Sequence, residues 1–198
     1  MERTRRDLLG RGALAAVGTA GLAGCLDFAA GDGPQGPEGT PETLTCEDDA
    51  FVRLDPPIDG PVEGTVVDAP ETRLELSSEG SAETYGQSVR VVLRNTGDAA
   101  TTTLGRYAYA IQRETDAGWL EVRGSTTGEP AALPQAEEEF GTTGAYSWEI
   151  RLDESAIASA VPDLDLAVCP PLGAGTHRFV YWGAVDAPPI GVEFDLIG

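Results

Sequence analysis

Apolar and polar residues alternate with period two over most of the chain beyond residue 46, the signature of half-buried strands rather than helices. The pattern is sharpest over residues 87–94. There Val89, Val91 and Leu93 point one way, and Ser88, Arg90 and Arg94 the other. It recurs over 104–113, setting Tyr107, Tyr109 and Ile111 on one face. Over 145–152 it sets Tyr146, Trp148, Ile150 and Leu152 inward and Ser147, Glu149 and Arg151 outward. Asn95-Thr96-Gly97-Asp98 turns the chain, and Asp116-Ala117-Gly118 closes a hairpin whose return strand covers 119–123. Shorter strands are expected at 51–54, 176–182 and 192–196, with weaker candidate strands at 62–67, 73–76 and 164–169; Pro56-Pro57 and Pro170-Pro171 end two of these. Residues 124–143, rich in Gly, Thr, Pro and Glu, read as a long loop. Residues 153–160 fit one or two helical turns capped by Asp153. Seven to nine short strands with almost no helix imply an all-β sandwich.

Ahead of this body the pattern changes. Arg3, Arg5, Arg6 and Arg11 give a basic start, residues 13–23 an apolar run, and Leu22-Ala23-Gly24-Cys25 a small-residue end. That order is a secretory signal. The run is diluted by Gly18 and Gly21, and it falls short of the ~20 apolar residues that a spanning helix needs. Thr4-Arg5-Arg6-Asp7-Leu8-Leu9 resembles the twin-arginine export motif, and Leu22-Ala23-Gly24-Cys25 resembles a lipobox. The resemblance implies cleavage after residue 24, a lipid on the Cys25 thiol, and a body held at the extracytoplasmic face of the cell membrane. The competing reading is a cleavable signal without a lipid. Residues 25–45, with Gly33-Pro34 and Gly36-Pro37, read as a disordered linker between lipid and domain, and residues 46–198 as one domain.

Charge narrows the partners. Residues 1–24 hold four arginines and two acids, so the remainder carries nine arginines against 31 acids and no lysine. So acidic a surface repels itself in dilute buffer and is relieved by salt. It also lacks the clustered cations that hold a phosphate backbone, which argues against a nucleic-acid partner. An acidic, lysine-free, twin-arginine-exported chain resembles lipoproteins of halophilic archaea; an actinobacterial or other high-GC source is the alternative.

The order Gly86-Gln87-Ser88-Val89, Leu93-Arg94-Asn95, Tyr107-Ala108-Tyr109, Gly118-Trp119, Gly144-Ala145-Tyr146-Ser147-Trp148 and Gly173-Ala174-Gly175-Thr176-His177-Arg178-Phe179 resembles bacterial-type immunoglobulin-like domains over residues 84–197. His177 stands where that pattern has Tyr. The resemblance implies a module that binds, spaces or decorates, and names no chemistry.

Candidate chemistry is sparse. Cys46 and Cys169 form an even pair once Cys25 is given to lipid, and outside the cell such a pair is expected to be bonded; two buried free thiols are the competing reading. His177 is the only histidine, so any histidine-dependent nucleophilic site must use it, but its register with Phe179 and Tyr181 favours a place at the edge of the core. A blue-copper centre fails on ligand count, and structural zinc fails likewise, so neither cofactor nor metal is expected. Glu47-Asp48-Asp49 and Glu137-Glu138-Glu139 match no calcium-loop spacing. Trp119, Trp148 and Trp182 could stack on a sugar or peptide if exposed, and Trp182, on the face opposite His177 and just before Gly183, is the best candidate. The sequence thus points to a non-catalytic binding or scaffolding module for envelope proteins. A small-ligand or solute-binding accessory lipoprotein is the alternative, and a hydrolase a distant third.

Overall fold

The computed structural model describes residues 33–198 except 59, 63, 70 and 71. The twin-arginine pair Arg5-Arg6 and the lipobox Cys25 lie outside the described residues. In chain order the strands are β1 (Val52–Arg53), β2 (Val66–Ala69), β3 (Thr72–Ser78), β4 (Ala82–Thr84), β5 (Ser88–Asn95), β6 (Thr101–Thr103) and β7 (Tyr109–Thr115). They continue with β8 (Gly118–Glu121), β9 (Arg123–Ser125), β10 (Glu138–Phe140) and β11 (Ala145–Arg151). One helical turn, α1 (Glu154–Ala158), precedes β12 (Ala167–Val168), β13 (Gly175–Tyr181) and β14 (Ile190–Ile197). The Asp153 side chain caps α1 by accepting from the Ala156 N–H at 2.8 Å.

The fold is an all-β sandwich. One sheet has the order β11-β5-β3-β2 and the other β4-β14-β13-β7-β8. With β3, β5 and β11 as strands A, B and E, and β7, β8, β13 and β14 as C, C′, F and G, these are the neighbours of an immunoglobulin sandwich. All pairings are antiparallel except β4 with β14, where the chain leaves the first sheet and adds a parallel edge strand to the second. Two small sheets, β1-β9-β12 and β10-β6, complete the body. The fourteen strands exceed the seven to nine expected because β4, β6, β9 and β10 have three residues each, too few to display a period; β9 and β10 fall at the start of and within the stretch 124–143 expected as a loop.

Alternation builds the core as expected. Val89, Val91 and Leu93 of β5 and Trp148 and Ile150 of β11 meet Tyr109 and Ile111 of β7, Phe179 and Tyr181 of β13, and Val192 and Phe194 of β14. Each such burial contributes about 1.5–3 kcal/mol against leaving the side chain in water. Trp148 joins the sheets: its ring lies 4.9 Å from Phe179 and 5.9 Å from Tyr181, and its indole N–H donates to the Arg106 carbonyl at 3.0 Å. Burial on both faces of β7, where Ala110 is as inaccessible as Tyr109 and Gln112 is buried too, shows that the outer side of the five-stranded sheet is also covered.

The expected disordered linker is corrected over its second half. Residues 36–44 form a strap on the body. Gly36 N–H donates to Leu172 O at 2.8 Å and Gly39 N–H to Ala174 O at 2.9 Å, while Pro41 and Glu42 carbonyls accept from Asp116 and Ala117. The buried Arg113 guanidinium donates to the carbonyls of Gly173, Ala174 and Gly39, clamping strap to sheet. The folded body therefore starts ahead of Cys46. Cys46 and Cys169 are disulfide-bonded, tying the end of the strap to the end of β12 across a sequence separation of 123.

Candidate ligand-binding groove

Residues 53–58 and 60–62 lie over the outer face of the five-stranded sheet. This segment is held at one end by Leu54 N–H donating to Arg123 O at 3.0 Å, and beyond its other end by Gly191 N–H donating to Gly64 O at 3.0 Å. Between segment and sheet lies a groove of about 730 Å³. Register builds its floor. Glu193 faces Arg178, Arg178 faces Gln112, and Gln112 faces Glu121, one row across four strands. Pro56, Ile58, Val62 and Leu120 supply apolar walls. A second depression of about 500 Å³ shares Val62, Arg178 and Glu193 with the first, so Arg178 and Glu193 stand where the two meet.

Arg178 is held on two sides. Its Nε–H donates to Gln112 Oε1 at 2.7 Å, and its guanidinium carbon lies 4.2 Å from the centre of the half-buried Trp119 ring. Burial pushes its pKa down to about 10, against the pull of the Glu193 charge. Its two terminal nitrogens make no hydrogen bond or ion pair with any described residue. Among the other arginines, Arg73, Arg90, Arg123 and Arg151 pair with carboxylates, and Arg53 donates to the backbone of Glu121 and Leu44; Arg94 is exposed and, unlike Arg178, lines neither depression.

The end of the row is rigid. Glu121 and Arg123 form a fully buried ion pair, Nε to Oε1 at 2.8 Å. Glu121 Oε2 also accepts from the Ile111 N–H at 3.0 Å, satisfying the β7 backbone where β8 ends, and Arg123 donates to Tyr109 O at 2.8 Å. Two buried charges are tolerable here because each is both paired and hydrogen-bonded.

Trp182 is corrected as a contact residue: it is only 6% exposed. The chain leaves the ladder after Tyr181, and Trp182 N–H donates to Ala108 O while Leu104 N–H donates to Gly183 O, so the alternation that would expose the indole ends there. Trp119, the second residue of a hairpin strand, is the tryptophan that the groove uses. His177 is buried, stacked on Phe194 at 5.8 Å, with Nδ1 3.0 Å from Gly175 O and 3.3 Å from Arg113 Nη1. No described carboxylate or hydroxyl hydrogen-bonds to it. Among the described residues no group of three or more His, Cys, Asp or Glu side chains is placed to hold a metal ion, and no helix is long and apolar enough to cross a membrane.

Sequence reasoning missed Arg178, Gln112 and Glu193 as a set. The available signal was an arginine at an outward position of a central strand in a chain with few cations. The segment roofing the groove, Pro-rich and without a period, gave none. No protein-family model matches the chain, and no curated protein does.

Proposed function

We propose that the protein is a lipid-anchored, extracytoplasmic, non-catalytic binding module, and that the groove over β7, β8, β13 and β14 is where it binds. The groove carries the binding part of this reading: an apolar wall with convergent polar groups is the ordinary form of a small-ligand site. A small ligand is favoured over an envelope-protein partner, because the large apolar side chains exposed among the described residues are Val66 and Ile197 alone, which is no aromatic docking patch. The Cys46–Cys169 disulfide supports an oxidising compartment, and the twin-arginine and lipobox resemblances support export and attachment through Cys25. The acidic, lysine-free composition fits work at high salt.

Fractionation of cells that carry Cys25→Ser tests the anchor. The variant is expected in the medium while the natural chain stays with the membrane; equal membrane retention of both overturns attachment through Cys25.

A further inference from the structure

Resting on the reading of the groove as a binding site, we infer that its ligand is a small carboxylic acid with an apolar body, its carboxylate bound in two-pronged fashion by Arg178. Three observations converge on this chemistry. The guanidinium is preset: Gln112 fixes its Nε–H and the Trp119 ring fixes its plane, so little freedom is left to lose when an anion docks. Its two terminal nitrogens are unpaired among the described residues and belong to a half-buried side chain lining the groove, whereas carboxylates elsewhere on this surface pair with Arg73, Arg90 and Arg151. A planar fork of donors matches the two oxygens of a carboxylate.

The surroundings choose among anions. Glu193 sits directly beside Arg178 on β14, and Asp55 lines the same groove. Two carboxylates close by repel a doubly charged phosphate more than a singly charged acid. Ile58, Pro56 and Leu120 offer the remainder of the ligand an apolar wall. Glu193 also sets a limit on the ligand, since a second negative group on its body would face this carboxylate.

Titration of the full-length, isotope-labelled chain with benzoate, followed by NMR at constant ionic strength, tests the inference. Benzoate is expected to shift the Trp119 indole and Arg178 Nε–H signals saturably. Benzamide, which has the same ring without the charge, is expected to bind at least about tenfold more weakly, and inorganic phosphate not to saturate. Arg178→Lys keeps the charge but loses the fork and is expected to weaken benzoate about tenfold. Unchanged signals from the buried His177 and Phe194 rings report that the variant is folded. Equal affinity for benzamide and benzoate overturns the carboxylate assignment while leaving the groove as the binding site. Saturable shifts confined to residues away from the groove, or none with any probe, overturn both.

Discussion

At the scale of single residues, the buried cations and the lone histidine do structural work. His177 is neutral because burial, and then the Arg113 charge beside it, push its pKa down to about 4 from the ordinary 6.5. The unfolded chain therefore binds a proton between these values that the folded chain refuses. Stability attributable to this residue is complete above about pH 6.5 and is lost as the pH falls toward 4, to a total of roughly 3 kcal/mol. Replacing His177 with Phe should flatten the acid limb of a stability-against-pH curve measured by chemical denaturation, relative to the natural chain. A variant with the same slope between pH 6.5 and 4 would show that other groups set the acid sensitivity. Arg113 beside it donates to the backbone carbonyls of Gly173, Ala174, Gly39 and Pro37 and forms no ion pair among the described residues, so its charge is met by these dipoles, with the Glu114 and Asp195 charges acting from farther away.

At the scale of elements, the strap on residues 36–44 depends on close backbone approach. A Cβ built on Gly173 would lie 1.8 Å from the Pro37 carbonyl oxygen, and one on Gly36 would lie 1.8 Å from that of Pro171. Gly173→Ala must therefore push strap and loop apart, losing the Gly36–Leu172 hydrogen bond, at a cost of about 1–3 kcal/mol. Limited proteolysis should then cut within residues 33–45, where the natural chain resists; equal resistance would mean that the strap does not need this contact. The strap also marks where the sequence was hard to read. Gly-Pro pairs flanked by acids are the composition of a spacer, and nothing local distinguishes glycines that provide freedom from glycines that let two backbones touch. By contrast β11 was legible, because one face is buried and the alternation survives over seven residues, and β5 was legible over most of its length for the same reason. The turn at residues 116–118 and the Asp153 cap were legible for a local reason: Gly118 takes the positive φ that the turn needs, and the Asp153 carboxylate accepts from the Ala156 N–H. Trp182 and Arg178 were not, because their surroundings come from residues 104–108, a turn where a strand was expected, and from the Pro-rich stretch around residues 53–58, both distant in sequence.

For the molecule as a whole, the disulfide is a long-range covalent restraint. It closes 123 positions of sequence and lies beside the small sheet in which β1 and β12 both pair with β9. In the chain-entropy account such a closure contributes roughly 4–5 kcal/mol by restricting the unfolded state. The Cys46→Ser/Cys169→Ser variant is expected to keep the sandwich, seen as unchanged far-ultraviolet dichroism. Its midpoint in urea should fall by an amount that reflects this loss; a midpoint equal to that of the natural chain would show that packing alone sets the stability.

The docked strap has a consequence for the order of assembly. Its backbone partners lie at residues 116–117 and 172–174, far downstream of it. A chain made from its first residue onward cannot seat residues 36–39 until Leu172 and Ala174 exist, and closing so wide a loop comes late in folding. A stretch that comes early in the chain is thus among the last to settle. A body halted short of Gly173 leaves it nowhere to rest, which makes the seated strap a mark of a finished product.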